Sequence, residues 1–127
     1  MSKKTNRPQP GCICWNELVT SSVPKARKFY GGLLGWKTKP FGNGAPGYTL
    51  LLHGGKAFGG MMQCPKPGNP AQWIPYVFVE DVDATAKKTV KLRGKVLVPP
   101  FDVKGAGRIA VLADPQGAAI GIIKPEM

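Results

Sequence analysis

Gly105-Ala106-Gly107-Arg108-Ile109-Ala110-Val111-Leu112-Ala113, then Asp114-Pro115-Gln116-Gly117, then Ala118-Ala119-Ile120-Gly121-Ile122-Ile123 run without a break near the end of this 127-residue chain. The two apolar segments are rich in β-branched and aliphatic residues and read as strands. The four residues between them have hairpin-turn chemistry, since proline fixes φ and glycine accepts a positive φ. The same plan occurs earlier, where residues 48–52 and 57–62 flank His53-Gly54-Gly55-Lys56. Two hairpins of one design in a short chain point to an internal repeat.

The repeat becomes explicit upstream of each hairpin. Residues 12–20 alternate as a strand, with Ile13, Trp15 and Glu17 on one face and Cys12, Cys14, Asn16 and Leu18 on the other. Ser21-Ser22 supplies a helix N-cap and Pro24 suits the first turn. Ala26, Phe29, Tyr30, Leu33 and Leu34 then recur at helical spacing until Gly35. A short strand over 36–39 and a loop over 41–47 lead into the first hairpin. In the second half, residues 73–79 read as a strand, Asp81 caps a helix over 82–92, and Gly94 closes it. Residues 96–98 read as a strand and Pro99-Pro100-Phe101-Asp102-Val103-Lys104 as a loop. A shift of 59 lays Ser22 on Asp81, Leu33 on Leu92 and Gly35 on Gly94. The expected fold is α+β: two βαβββ modules forming one curved mixed sheet around an open cup, with the helices on the convex side. Module one covers about 11–63, a proline-containing linker 64–72, and module two about 73–125, after a basic flexible tail at 1–10.

Composition narrows the function. A chain of this length with 43% hydrophobic residues buries one real core, and the 17 glycines and 13 prolines suit short strands and tight turns. No apolar run is long enough for a membrane span and no secretory leader precedes the domain, so a cytoplasmic protein is expected. The three cysteines are expected to be small buried apolar side chains. The net charge of +11 is scattered, with no run of five like charges. It implies a solvated basic surface or attraction of small anions, with no specific nucleic-acid or membrane partner.

Trp15-Asn16-Glu17-Leu18-Val19-Thr20, Phe29-Tyr30-Gly31-Gly32-Leu33-Leu34-Gly35-Trp36, Val79-Glu80-Asp81-Val82-Asp83, and Gly107-Arg108 through Asp114-Pro115-Gln116-Gly117-Ala118 together resemble the vicinal oxygen chelate superfamily. That group includes glyoxalase I, bleomycin- and fosfomycin-resistance proteins and extradiol dioxygenases. The resemblance covers about residues 11–125 and implies the paired βαβββ architecture and a symmetric homodimer. It also implies a divalent metal held by His, Gln or Glu from four strands. Carried over position by position, those ligands fall on Trp15, Ile74, Gly121 and Gly59 or Gly60, and none offers a donor side chain. His53, the single histidine, sits in a hairpin turn. No cofactor and no metal are therefore expected.

Strand parity leaves other candidates in the cup. Glu17 lies two residues beyond Trp15 and pairs with Tyr76 under the 59-residue shift. A carboxylate beside a phenol and indoles in a partly apolar cavity suits general acid or base work, or a structural hydrogen bond. Trp15 and Trp73 offer aromatic walls, Met61 and Phe101 apolar contacts, and Arg108 beside a glycine-rich loop an anion clamp. The readings are a metal-free domain that binds a small molecule, anionic or aromatic; a metal-independent lyase, isomerase or hydroxylase-like enzyme using Glu17 and Tyr76; and a dimeric interaction scaffold. Bleomycin sequestration is disfavoured, because a +11 protein repels a cationic drug.

Overall fold

A computed structural model describes residues 9–41, 47–64 and 70–126. Most of the tail, the middle of the 41–47 loop and the middle of the 64–72 linker lie outside the described residues. Contacts divide the chain into two units. One is Trp15–Ile74, and the other comprises the described residues up to Cys14 and from Pro75.

The first unit carries most of β1 (Ile13–Thr20), then α1 (Val23–Leu34), β2 (Lys37–Pro40), β3 (Tyr48–His53) and β4 (Lys56–Gln63). Its strand order is β2-β3-β4-β1, antiparallel except that β1 runs parallel to β4. The helix starts where the sequence offers a cap: Ser22 is extended, and its hydroxyl accepts from the Lys25 N–H at 3.2 Å. It stops at Gly35, whose φ of +75° only glycine adopts without cost. Leu18, Leu51 and Met61 form the buried core, closed by Val23, Ala26 and Tyr30 of α1 together with Trp36 and Phe58. Burying each such side chain contributes about 1.5–3 kcal/mol, which is what holds a helix with two interior glycines on the sheet.

The second unit repeats the connectivity with the part of β5 (Gln72–Phe78) from Pro75 onward, then α2 (Val82–Lys91), β6 (Lys95–Val103), β7 (Gly107–Ala113) and β8 (Ala119–Pro125). The order is β5-β8-β7-β6, with β5 parallel to β8. Asp81 caps α2 through its carboxylate, which accepts from the Ala84 N–H at 2.9 Å. Val82 and Ala86 of α2 pack on Ala110, Leu112 and Ile122. In the anchoring turn, the Asp114 carboxylate accepts from the Gln116 and Ala118 N–H groups, and Gly117 takes a φ of +96°. The α+β fold of two βαβββ modules is observed.

Two expectations from sequence are corrected. The left-handed residue after α2 is Arg93, at φ +73°, and not Gly94. Gly94 is glycine for another reason: a Cβ there would sit 2.6 Å from the Ala113 carbonyl oxygen. The expected loop at 99–104 is instead the body of β6, which pairs with β7 through register shifts between Val96 and Val98 and between Val98 and Phe101. Pro99 and Pro100 fall within the second irregularity, where a missing N–H breaks no regular ladder. Among the described residues, no helix is long and apolar enough to cross a membrane.

Candidate functional site

The site grows from one register. In the parallel β1/β4 pair, Glu17 lies opposite Gly60 and Leu18 opposite Met61. Leu18 and Met61 face the core under α1, so strand alternation turns Glu17 and Gly60 to the other face. β3 then brings Tyr48 across Gly60. A Cβ at Gly60 would lie 2.2 Å from the Tyr48 hydroxyl oxygen and 2.3–2.4 Å from ring carbons, so the ring occupies the volume a side chain would need. Glycine in mid-strand is here the condition for close approach of an aromatic ring.

That approach builds a directed chain of hydrogen bonds. The Trp15 indole Nε1–H donates to Tyr48 Oη at 3.0 Å, and the Tyr48 hydroxyl donates to Glu17 Oε1 at 3.2 Å. Glu17 is 9% exposed, while Trp15 and Tyr48 are half-buried. Phe41 meets the Tyr48 ring edge to face, with centroids 5.8 Å apart. Burial, and then the charge of Glu17, push the Tyr48 phenol well above the usual tyrosine range; the bond from Trp15 opposes this and is outweighed. The phenol therefore stays protonated through the physiological range and remains a donor to Glu17.

The second unit has the equivalent register, Tyr76 opposite Gly121. There the first-strand residue itself covers the glycine, since a Cβ at Gly121 would lie 2.4 Å from the Tyr76 ring. Tyr76 is 2% exposed. At both positions a tyrosine ring fills the space that a side chain would need.

The remaining candidates separate. Met61 is 0% exposed and packs in the core with Leu18 and Leu51, on the face opposite Glu17. Trp73 joins the rings beside α1, donating its indole N–H to Tyr30 Oη at 3.3 Å and meeting Tyr30 and Trp36 edge to face. Arg108 is already engaged, its guanidinium gripping Asp83 of α2 at 2.8 and 2.9 Å and reaching Asp102 of β6 at 3.1 Å. These bonds hold the Asp83 carboxyl below, and the guanidinium above, their ordinary values. Phe101, in β6 opposite Ile109, is 42% exposed. His53 closes the β3/β4 hairpin in solvent, as expected. Tyr48 is the residue that sequence reasoning missed. The one available signal was Gly60, a strand glycine beside a carboxylate, which marks a position where something large comes close.

A family model described as Glyoxalase/Bleomycin resistance protein/Dioxygenase superfamily matches residues 13–122. The chain belongs to this superfamily. It is 39% identical over 118 residues to the Mycobacterium tuberculosis protein named "Putative glyoxylase CFP32", covering 92% of this chain and 45% of that one. It is 36% identical over 128 residues to the anthracycline biosynthesis protein DnrV of Streptomyces peucetius, covering 89% and 46%. The chain thus spans less than half the length of these curated relatives. Among solved structures, a Streptomyces coelicolor methylmalonyl-CoA epimerase in complex with 2-nitronate-propionyl-CoA superposes with a TM-score of 0.63 at 15% identity, covering 94% of this chain and all of that one. A homoprotocatechuate 2,3-dioxygenase variant from B. fuscum gives 0.59 at 18%, covering 98% of this chain and 36% of that one. At such identities the likeness shows the shared fold.

Members of the superfamily with a metal need donors at four positions, and the residues present do not fit one. Trp15 offers an indole N–H that is already donated, Ile74 is buried hydrocarbon, and Gly60 and Gly121 lie under tyrosine rings. Among the described residues, no three His, Cys, Asp or Glu side chains cluster as a metal site would require.

Proposed function

We propose that this domain binds a small organic molecule against the Trp15–Tyr48–Glu17 face, without a metal of the superfamily type. The observation that carries this reading is Tyr48 lying over Gly60, its hydroxyl held between an indole N–H and a carboxylate. Half-buried aromatic rings around a few fixed polar atoms are what small-molecule sites are made of. A relative named for anthracycline biosynthesis favours a planar aromatic ligand. Native mass spectrometry of the purified chain with a metabolite extract tests the reading: retention of an organic ligand, lost in Trp15→Ala, is expected, and equal retention by the variant contradicts it.

A second reading is a metal-independent enzyme in which Glu17 moves a proton, favoured by a nearly buried carboxylate hydrogen-bonded to a phenol and by the glyoxylase name of the other relative. Glu17→Gln distinguishes the two. Turnover falling by about 10²–10⁴ with folding intact supports catalysis, and unchanged turnover rules it out. We further infer a homodimer, on the ground that α1 exposes Phe29, Leu33 and Leu34. A 13.6 kDa species by light scattering at micromolar concentration contradicts that.

A further inference from the structure

Resting on the homodimer inferred above, we propose that two copies pair antiparallel through α1, crossing at Gly32, with Lys28 of each set against the carbonyl end of the partner's helix. The helix has two working sides. Val23, Ala26 and Tyr30, spaced three and four apart, pack on the core of Leu18, Leu51 and Met61. Lys25, Lys28, Phe29, Gly32 and Leu33 recur at the same spacing on a second side, and all five are exposed, Phe29 at 58% and Leu33 at 62%. Two features of this side find no cause among the described residues of one chain. Glycine inside a helix weakens it relative to alanine, yet a Cβ at Gly32 would meet nothing within 4 Å. The charges are the other feature. α2 suits its own dipole, with Asp83 in the first turn and Lys88 and Lys91 in the last. α1 reverses this: Lys25, Arg27 and Lys28 crowd its N-terminal half, with no acid in the first turn and no cation in the last.

A second α1 running the other way answers both. Lys28 lies about 6 Å before Gly32 along the axis, so it comes opposite the partner's chain just past the helix end, where the last carbonyls lack intrahelical partners and the dipole is negative. The two Lys28 residues are then about 12 Å apart along the axis, beyond the roughly 8 Å over which physiological salt screens them. Phe29 of each copy falls beside the partner's Leu33, and Gly32 lets the two backbones come close. The apolar contact alone is too small to carry the pair. Phe29 and Leu33 bury at most about 250 Å² each, against roughly 800 Å² per partner in a stable interface, so the flanking lysines enter the contact. A parallel pair would set Lys25 on Lys25 and Lys28 on Lys28. The surface is therefore self-complementary in one orientation, as a two-fold contact requires.

Sedimentation and light scattering at micromolar concentration supply the test. The parent is expected to be a dimer. Gly32→Leu, which fills the crossing point without touching the chain's own core, should give a 13.6 kDa monomer that melts no lower than the parent. Leu33→Gln on the same side should do the same, and serves where Gly32→Leu does not fold. Lys28→Glu should weaken the dimer about tenfold, since the two-fold axis counts each lost contact twice. Mixed with isotopically labelled parent, it should form heterodimers of intermediate strength by native mass spectrometry. The proposal is overturned where folded Gly32→Leu or folded Leu33→Gln remains dimeric. It is equally overturned where the Lys28→Glu heterodimer is tighter than the parent dimer, as Lys28 facing Lys28 would give. In those outcomes the homodimer reading stands; a monomeric parent removes both.

Discussion

The two modules place a glycine at the same register of their last strand and cover it by different means. In the second, Tyr76 comes from the adjacent strand and lies flat in the core over Gly121. In the first, the adjacent residue is Glu17, and the ring over Gly60 is delivered by Tyr48 from β3, half-exposed and hydrogen-bonded on both sides. One copy of the repeat thus uses the position for packing. The other keeps it polar and partly open to solvent, which is why the candidate site falls in one module.

Adding a methyl group to each glycine sharpens this contrast most. Gly121→Ala should destabilise by about 3 kcal/mol, because the Tyr76 ring has no route out of the core, whereas Gly60→Ala should cost about 1 kcal/mol as Tyr48 swings toward solvent. Chemical denaturation of the two variants measures the difference, and equal losses would erase the distinction between a packed and an open position. Glu17→Gln should cost roughly 1–3 kcal/mol through loss of a charge-assisted bond in a nearly buried place, read from a urea melt.

Tyr48→Phe should cost about 1 kcal/mol at neutral pH and also change the alkaline limb of stability. The folded phenol is held above its unfolded value near 10. Stability is intact below that value and is lost as pH rises above it, because the unfolded chain releases the proton first. The variant should lose less stability between pH 10 and 12 than the parent does; an identical slope would mean that Tyr48 titrates normally. The smallest effect is expected at Arg108. Its carboxylate partners are exposed and solvent-screened, so Arg108→Ala should barely move the melting temperature. Asp83 is depressed by this partner, so its small contribution is present above the ordinary carboxylate range and fades as pH falls through the folded value. A large loss at neutral pH would show that the ion pair anchors α2.

Much of this was legible in the sequence, because its causes are local. Ser22 and Asp81 cap their helices through neighbours three residues away, and the Asp114 turn is closed by its own side chain. Strand parity puts Glu17 and Trp15 on one face of β1, which their shared bonding to Tyr48 matches. Tyr48 was not legible, since its bonds to them span 31 and 33 residues and depend on a strand pairing that no local pattern announces. Met61 and Gly60 are adjacent yet face opposite ways, so a cavity lined by both is excluded once the register is known. The β6 strand was hidden by Pro99 and Pro100, which read as breakers until a bulge accommodates them.

We propose that an organic-ligand face stands where other members of the superfamily hold a metal, and metal content tests this most directly. Chain purified from medium supplemented with Mn, Fe, Co, Ni and Zn, then dialysed against a chelator, should retain no stoichiometric metal by elemental analysis. One equivalent per chain that survives dialysis and disappears in Glu17→Gln would contradict the account.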